Sequence, residues 1–383
     1  MNKKSILILT IIGILILGTA GFVFYTLKNR SSDSSEKGAI QNPTAPSTLN
    51  VADEPQTAPG LGISNVDSST PQAKALVGEP VISPFMPWGG NILSFINPSG
   101  LLIQGRISGA GQSLVLSEAN SYSFNAKANP YKVLWSSKSN EIIFEYKTDG
   151  KRFWSYLDPI SSAIINLTTN ITALDWGDKN QIFYIYQEKN GKYSLYSAKP
   201  NNTEYKKLAD IWENDDDIRV SPDVRSILYW RTANTGTSNS INLVSADGKV
   251  FKSIVKDGYN FGVLWAPDSK RFLFARREET SSAFQLWVTS IDGGEPRSLG
   301  LYSTVEKAMW DNTGQFIYVA GSEFSNNSGA DKLYRVGASQ LEKTAFDPGL
   351  KIDATDLFIA KEQNMILFKN RIDGFLYYYP LTQ

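Results

Sequence analysis

The stretch VLWAPDSKRFLFA, residues 263–275, ends one apolar run in a tryptophan, turns through Pro-Asp and resumes as a second apolar run. Pro267 fixes φ near −65° at the second position of a tight turn, and Asp268 can accept backbone N–H groups two residues further on. The runs on either side read as two antiparallel strands rather than as a catalytic loop. Set against Trp265, the rest of the chain shows the same template: an apolar approach to Trp, a polar turn, then apolar residues seven and nine positions later. Trp135 has Ile142 and Phe144 there, Trp265 has Phe272 and Phe274, and Trp310 has Ile317 and Val319. Trp176 fits with a turn one residue shorter, before Ile182 and Tyr184. In RVSPDVRSILY the turn Pro222-Asp223 is kept while Val220 stands in the Trp place, and in LFIAKEQNMILF Ile359 does.

The intervals between these positions are 41, 44, 45, 45 and 49 residues, and a weaker copy, FMPWGGNILSF at 85–95, precedes Trp135. Each interval has room for about four short strands, and four strands at this period form the blade of a β-propeller. The expected fold is therefore all-β: a seven-bladed propeller over residues 73–383, or a six-bladed one if the first unit is incomplete. The last unit ends FLYYYPLTQ with no fourth strand, so residues 74–82 are expected to supply the missing outer strand and close the ring.

The pieces WAPDSKRFLFA, VSPDVRSILY and LWVTSIDGGEPRSL resemble the TolB-like, or WD40-like, propeller repeat. That repeat is marked by a Trp-Ser-Pro-Asp-Gly-Lys turn and a later Asp-Gly-Gly turn. The resemblance spans residues 82–383 and breaks at the turns SSKSN and DNTGQ and at Val220 and Ile359. It implies a propeller and carries over no catalytic residue, because the motif is structural. Trp135, Trp176, Trp265 and Trp310 become wedges between blades, where a large planar ring fills the gap. Pro222-Asp223 and Pro267-Asp268 become turns, and Gly248 and Gly293 supply positive φ.

Ahead of the repeats, residues 5–26 carry no charge and are flanked by Lys3, Lys4, Lys28 and Arg30. A helix of that length crosses a hydrocarbon core of about 30 Å. Residues 1–30 therefore read as a cytoplasmic tip and an uncleaved transmembrane anchor, the alternative being a signal peptide cleaved near Gly18-Thr19-Ala20. Residues 31–72 are rich in Ser, Pro and Ala and poor in large apolar side chains, the composition of a flexible linker. The expectation is a single-pass cell-membrane protein with the propeller extracytoplasmic, a cytoplasmic propeller being the alternative.

There is no Cys and no His, which removes thiol nucleophiles, disulfides, Cys/His metal sites and every triad using imidazole as base. Lys+Arg and Asp+Glu both total 38, so no basic surface points to nucleic acid. On the inner strands the available carboxylates are Asp175, Asp217 and Asp356, a weak channel site for a cation such as calcium; otherwise no metal or cofactor is expected. The run Asp215-Asp216-Asp217 lacks the spacing of a calcium loop and reads as solvated. Trp212, Tyr259, Phe261 and Tyr302 fall in connections between units, and Arg276-Arg277 ends a second strand. These six are the binding-face candidates, with core packing and surface charge as the plainer readings. The function expected is non-catalytic binding of another envelope protein or surface polymer. The alternative is an enzyme or calcium-binding protein acting on a glycan or lactone through channel carboxylates.

Overall fold

The computed structural model describes residues 71–381 except 88–89, 110–114, 124–129, 137–140, 150, 159–160, 162, 179, 212–216, 232–237, 278–281, 326–329, 361 and 363. The expected anchor at 5–26, residues 31–70 of the expected linker, Trp212, Asp215 and Asp216 lie outside these. Among the described residues no helix is long and apolar enough to cross a membrane.

Strands follow one another as antiparallel neighbours in four-stranded units. The first is Ile82–Phe85, Ile92–Ile96, Leu101–Ser108 and Val115–Ser123; the second is Lys132–Trp135, Ile142–Thr148, Lys151–Leu157 and Ile164–Asn166. Ile171–Trp176, Ile182–Gln187, Tyr193–Ala198 and Lys206–Ile211 make the third. The fourth opens with Asp217–Val220, Ser226–Trp230 and Asn239–Ser245, and Phe251–Trp265 then serves as its outer strand and as the inner strand of the fifth. Arg271–Arg277, Phe284–Ser290 and Arg297–Tyr302 complete the fifth, and Ala308–Trp310, Phe316–Gly321, Lys332–Gly337 and Lys343–Phe346 form the sixth. The last consists of Ala354–Ala360, Met365–Asn370 and Leu376–Pro380, with Lys74–Ala75 as its outermost strand.

Why each unit reads as it does follows from its neighbours. Second strands carry four consecutive buried residues, as in Ile142–Thr148, Ile182–Gln187 and Arg271–Arg277. A strand covered on both faces has no solvent side to alternate toward. Outer strands such as Ile164–Asn166 and Lys343–Phe346 are largely exposed. Hydrophobic clusters sit between consecutive units: Leu134 and Ile143 with Trp176 and Tyr184, Ala173 and Ile185 with Ile218 and Ile227. The last cluster joins Leu93, Phe95 and Ile103 of the first unit to Met365, Leu367 and Leu376 of the last, which closes the circle.

The expected latch is present, and it is short. Lys74 pairs with Tyr378 and Ala75 with Tyr377, the Leu76 N–H donates to the Leu376 carbonyl at 2.8 Å, and Ile82 already belongs to the first inner strand. That inner strand stops at Phe85, at the start of the weak copy 85–95; Pro84 and Pro87 lack the N–H groups a longer ladder needs. A further correction concerns Tyr259 and Phe261, expected in a connecting loop. They lie within the continuous strand Phe251–Trp265, which bends at Asp257 and Asn260, both at positive φ, instead of breaking. Asp and Asn tolerate that conformation best among residues with a side chain.

Candidate functional site

The repeated tryptophans connect units as wedges with a polar handle. The indole N–H of Trp135 donates to the Ser83 carbonyl at 2.9 Å, that of Trp176 to Leu134 at 2.9 Å and that of Trp265 to Arg219 at 3.0 Å. In each case the acceptor lies on the inner strand of the preceding unit. Trp310 differs: it is fully buried, its indole nitrogen has no hydrogen-bond partner, and Arg271 lies over its ring at 5.3 Å. Arg271 instead donates to the Gly314 carbonyl across that junction at 2.7 Å. Asp268 accepts the Lys270 and Arg271 N–H groups, and Asp223 that of Arg225, as the turn reading required. Gly248 and Gly293 have φ of +77° and +87°. These residues are scaffold.

Connections between units share one face with the loops joining second to third strands, and on that face a groove of about 610 Å³ opens across the fifth, sixth and last units. Lys307, at the end of the 3₁₀ turn Val305–Lys307, is among its lining residues. Its wall is stapled: Tyr302 N–H donates to the Ser322 carbonyl at 2.7 Å, and Ser303 N–H to the Phe284 carbonyl at 2.9 Å. Gly321 permits this approach, since a Cβ there would stand 2.6 Å from the Tyr302 carbonyl oxygen. Phe324 and Ile372, on the loops of the sixth and last units, are 71% and 56% exposed. Both line the groove with Tyr302, Phe284 and Ile352. Glu323, beside Phe324, pairs with Lys343 at 2.7 Å and ties that loop to the outer strand.

Below the apolar walls lies an ion-pair cluster. Lys307 Nζ is 2.8 Å from Asp331 and also pairs with Asp353, which stands 3.6 Å from Arg371. Burial works against the charge on Lys307, but the two carboxylates outweigh it and hold its pKa above the usual lysine range. A lysine held so firmly protonated serves as a cationic strut and not as a base or nucleophile. Burial raises Asp331 against the pull of Lys307. A separate cavity of about 280 Å³, lined by Asn260, Phe261, Thr304 and Glu306, has Phe284 and Thr304 in common with the lining of the groove.

The inner strands hold a separate charged cluster. Asp217 pairs with Arg219 at 3.0 Å, and Asp175 Oδ2 accepts the Val220 N–H at 2.8 Å. Burial alone would raise Asp217, but Arg219, Lys132 and Arg152 outweigh it and hold it below the usual carboxylate range. Burial raises Asp175, and burial together with Arg219 lowers Lys132. A cation at Asp175 and Asp217 would have to compete with Arg219 and Lys132. Asp356 stands with Lys369, Glu306 and Arg371, and its carboxyl is pushed up to about 6, chiefly by burial. No group of three acidic side chains placed to hold a metal occurs among the described residues.

Of the binding-face candidates, Tyr302 lines the groove. Phe261 is 3% exposed, packs edge-on against Phe274 and is among the residues lining the smaller cavity. Tyr259 is half-buried opposite Arg277 in the ladder, and Arg276 lies over Trp287 at 4.4 Å. Phe324, Ile372 and the Lys307 cluster were not singled out from the sequence. A lone Phe inside the polar loop SEFSNNSGAD was the available signal.

By sequence, no family model and no curated protein matches the chain. By structure, it is similar to the Cps50 (Swd1) beta-propeller domain of Myceliophteria thermophila, with a TM-score of 0.54 and 8% identity over 81% of this chain and 100% of that one. The fold is a β-propeller. It is also similar to Kuenenia stuttgartiensis hydrazine synthase, with a TM-score of 0.53 and 9% identity over 80% of this chain and 97% of that one. TolB from Acinetobacter baumannii aligns at 14% identity over 61% of this propeller chain and 60% of its own, with a TM-score of 0.39.

Proposed function

We propose that this chain is a membrane-anchored, extracytoplasmic propeller of seven blades, TolB-like in its repeats, that binds another envelope protein non-catalytically through its loop-bearing face. The blade count is supported by the hydrophobic cluster found between each unit and the next, including last to first. Anchoring is supported by the uncharged run at 5–26. The observation that carries the binding reading is the pair Phe324 and Ile372, exposed on opposite loops of one groove whose floor charges are already paired. Apolar anchors around a desolvated polar floor are the features on which interface energy concentrates. The groove volume falls within the range of about 300–1,000 Å³ common to ligand clefts.

The test is recovery of partners on the full-length protein and on Phe324→Asp/Ile372→Asp. Both side chains are exposed, so the fold should survive. A protein retained by the first and lost from the second supports the reading; equal recovery on both removes the groove from it. The enzyme alternative depends on channel carboxylates, and Asp175 and Asp217 are already offset by Lys132 and Arg219. A melting temperature unchanged by millimolar calcium is expected, since a bound ligand would raise it by mass action.

A further inference from the structure

The face opposite the groove carries the turns from third to fourth strands, and in two neighbouring units those turns end in exposed apolar side chains. Tyr205 precedes the outer strand of the third unit and is 70% exposed; Val250 and Phe251 lead into that of the fourth and are 56% and 44% exposed. The fourth unit's turn lies against the third unit's outer strand, since a Cβ at Gly248 would stand 2.1 Å from the Leu208 carbonyl oxygen. Arg225 borders the same turn, its carbonyl accepting the Ala246 N–H at 2.9 Å. Lys206, Arg225 and Lys252 are exposed and make no ion pair among the described residues, whereas Lys199, Lys207 and Lys249 pair with Glu204, Glu188 and Asp247. In the fifth and sixth units the outer strand opens with Arg297 and Lys343 instead, and both are engaged, with the Ser339 carbonyl and with Glu323. Apolar exposure and surplus positive charge therefore coincide at the third and fourth units.

We infer that the propeller rests this face on an anionic lipid surface, with Tyr205, Val250 and Phe251 entering the interfacial layer and Lys206, Arg225 and Lys252 meeting lipid phosphates. Binding of this kind scales with apolar area removed from water plus the attraction of each cation to anionic headgroups. Three side chains of each sort make a weak site by themselves, but a tether to the same bilayer turns docking into an intramolecular step at high effective concentration. The segment from residue 27 to Ala73 could reach on the order of 150 Å if fully extended, so the tether keeps no face of the propeller from the bilayer. Docked in this way, the propeller holds the groove, on its other face, open to a partner. The inference rests on the membrane anchor proposed above and adds which face meets the lipid.

The test uses the absence of cysteine from the chain, which lets one introduced thiol carry a label. Full-length Val250→Cys, and Ile372→Cys on the groove face as a control, are labelled with a fluorophore and reconstituted into vesicles. The vesicles contain nitroxide-bearing lipid in either pure phosphatidylcholine or a mixture with phosphatidylglycerol. The label at 250 should be quenched in the anionic vesicles and that at 372 should not. Adding Lys206→Glu/Lys252→Glu, with melting temperatures to confirm the fold, should return the label at 250 to its level in phosphatidylcholine. Quenching at 250 no greater than at 372, equal in both lipids, or indifferent to the charge reversal overturns the inference. So does capture of an acidic protein by this face in place of quenching. An alkaline wash of the vesicles tests the anchor separately: if it strips the protein, the anchor reading fails, and quenching of the full-length protein by added vesicles still decides whether this face meets lipid.

Discussion

Asp175 and Val220 join the third and fourth units by a bond in which side chain and backbone have exchanged places: the side chain of the earlier unit accepts the backbone N–H of the later one, at 2.8 Å. At the junctions before Trp135, Trp176 and Trp265 the later unit's indole donates to an inner-strand carbonyl of the earlier unit. Val220 stands where a tryptophan would, and the link passes instead to a carboxylate one residue before Trp176. The substitution at Val220 and the acid at Asp175 are thus one feature. The charge this introduces is balanced locally by Arg219 and Lys132.

Removing that carboxylate should be costly. Asp175→Ala leaves the Val220 N–H without its acceptor and two cations less compensated, so unfolding stability should fall by about 1.5–3 kcal/mol, the value of a hydrogen bond to a charged group. Asp175→Asn keeps an acceptor oxygen, and because burial already disfavours the ionised form it should lose less than about 1 kcal/mol. Chemical denaturation of both variants checks the contrast; equal losses would mean that charge, and not the bond, matters.

Two turn glycines should respond differently to alanine. At Gly248 a Cβ would stand 2.1 Å from the Leu208 carbonyl oxygen of the neighbouring outer strand, and φ is +77°. At Gly293 the nearest atom is Lys252 Nζ at 3.1 Å, the movable end of a side chain. Gly293→Ala should cost about 1–2 kcal/mol for the left-handed backbone alone, and Gly248→Ala clearly more, since backbone must also shift. Melting temperatures of the pair provide the readout.

Ring closure rests on few bonds, so it should be sensitive to one of them. Leu76→Pro deletes the N–H that meets the Leu376 carbonyl and should lower stability by about 1–3 kcal/mol, the cost of a buried acceptor left unpaired. Lys74→Ala, at an exposed position of the adjoining strand Lys74–Ala75, should change stability by less than about 0.5 kcal/mol. Hydrogen exchange along Leu376–Pro380 should rise in the first variant and not in the second.

What was legible in the sequence is what repeats. Trp265, Pro267 and Asp268 recur with their spacing because each junction poses the same packing problem, and the latch followed from counting strands in the last unit. Whether a connecting segment is loop or strand was not legible: Phe251–Trp265 runs on because Asp257 and Asn260 absorb a bend, which periodicity does not encode. Phe261 looked like a spare aromatic, yet that continuity turns it against Phe274. The groove was missed because Tyr302, Phe324 and Ile372 come from three different units and meet only when the ring is built. Lys307, Asp331 and Asp353 are likewise distant in the chain, and ion pairs across units leave no periodic trace.

Asp356 should make the propeller less stable as pH rises. Its carboxyl is pushed up to about 6 in the folded protein, mainly by burial and with Glu306 adding to it, against the pull of Lys369 and Arg371; the ordinary value is 3.8. Below that value both folded and unfolded states hold the proton and no penalty exists. Between it and about 6 the unfolded chain has released the proton while the folded one keeps it, so stability falls with pH; above about 6 the loss is complete, roughly 2–3 kcal/mol. Asp356→Asn removes the ionisation and suits a backbone φ of +50°, which Asn tolerates well. The variant should match the wild type near pH 4 and exceed it by roughly that 2–3 kcal/mol at pH 7.5 in denaturant titrations. A gain of equal size at both pH values would trace the effect to backbone strain, and no gain at either would mean that the carboxylate is well solvated in the channel.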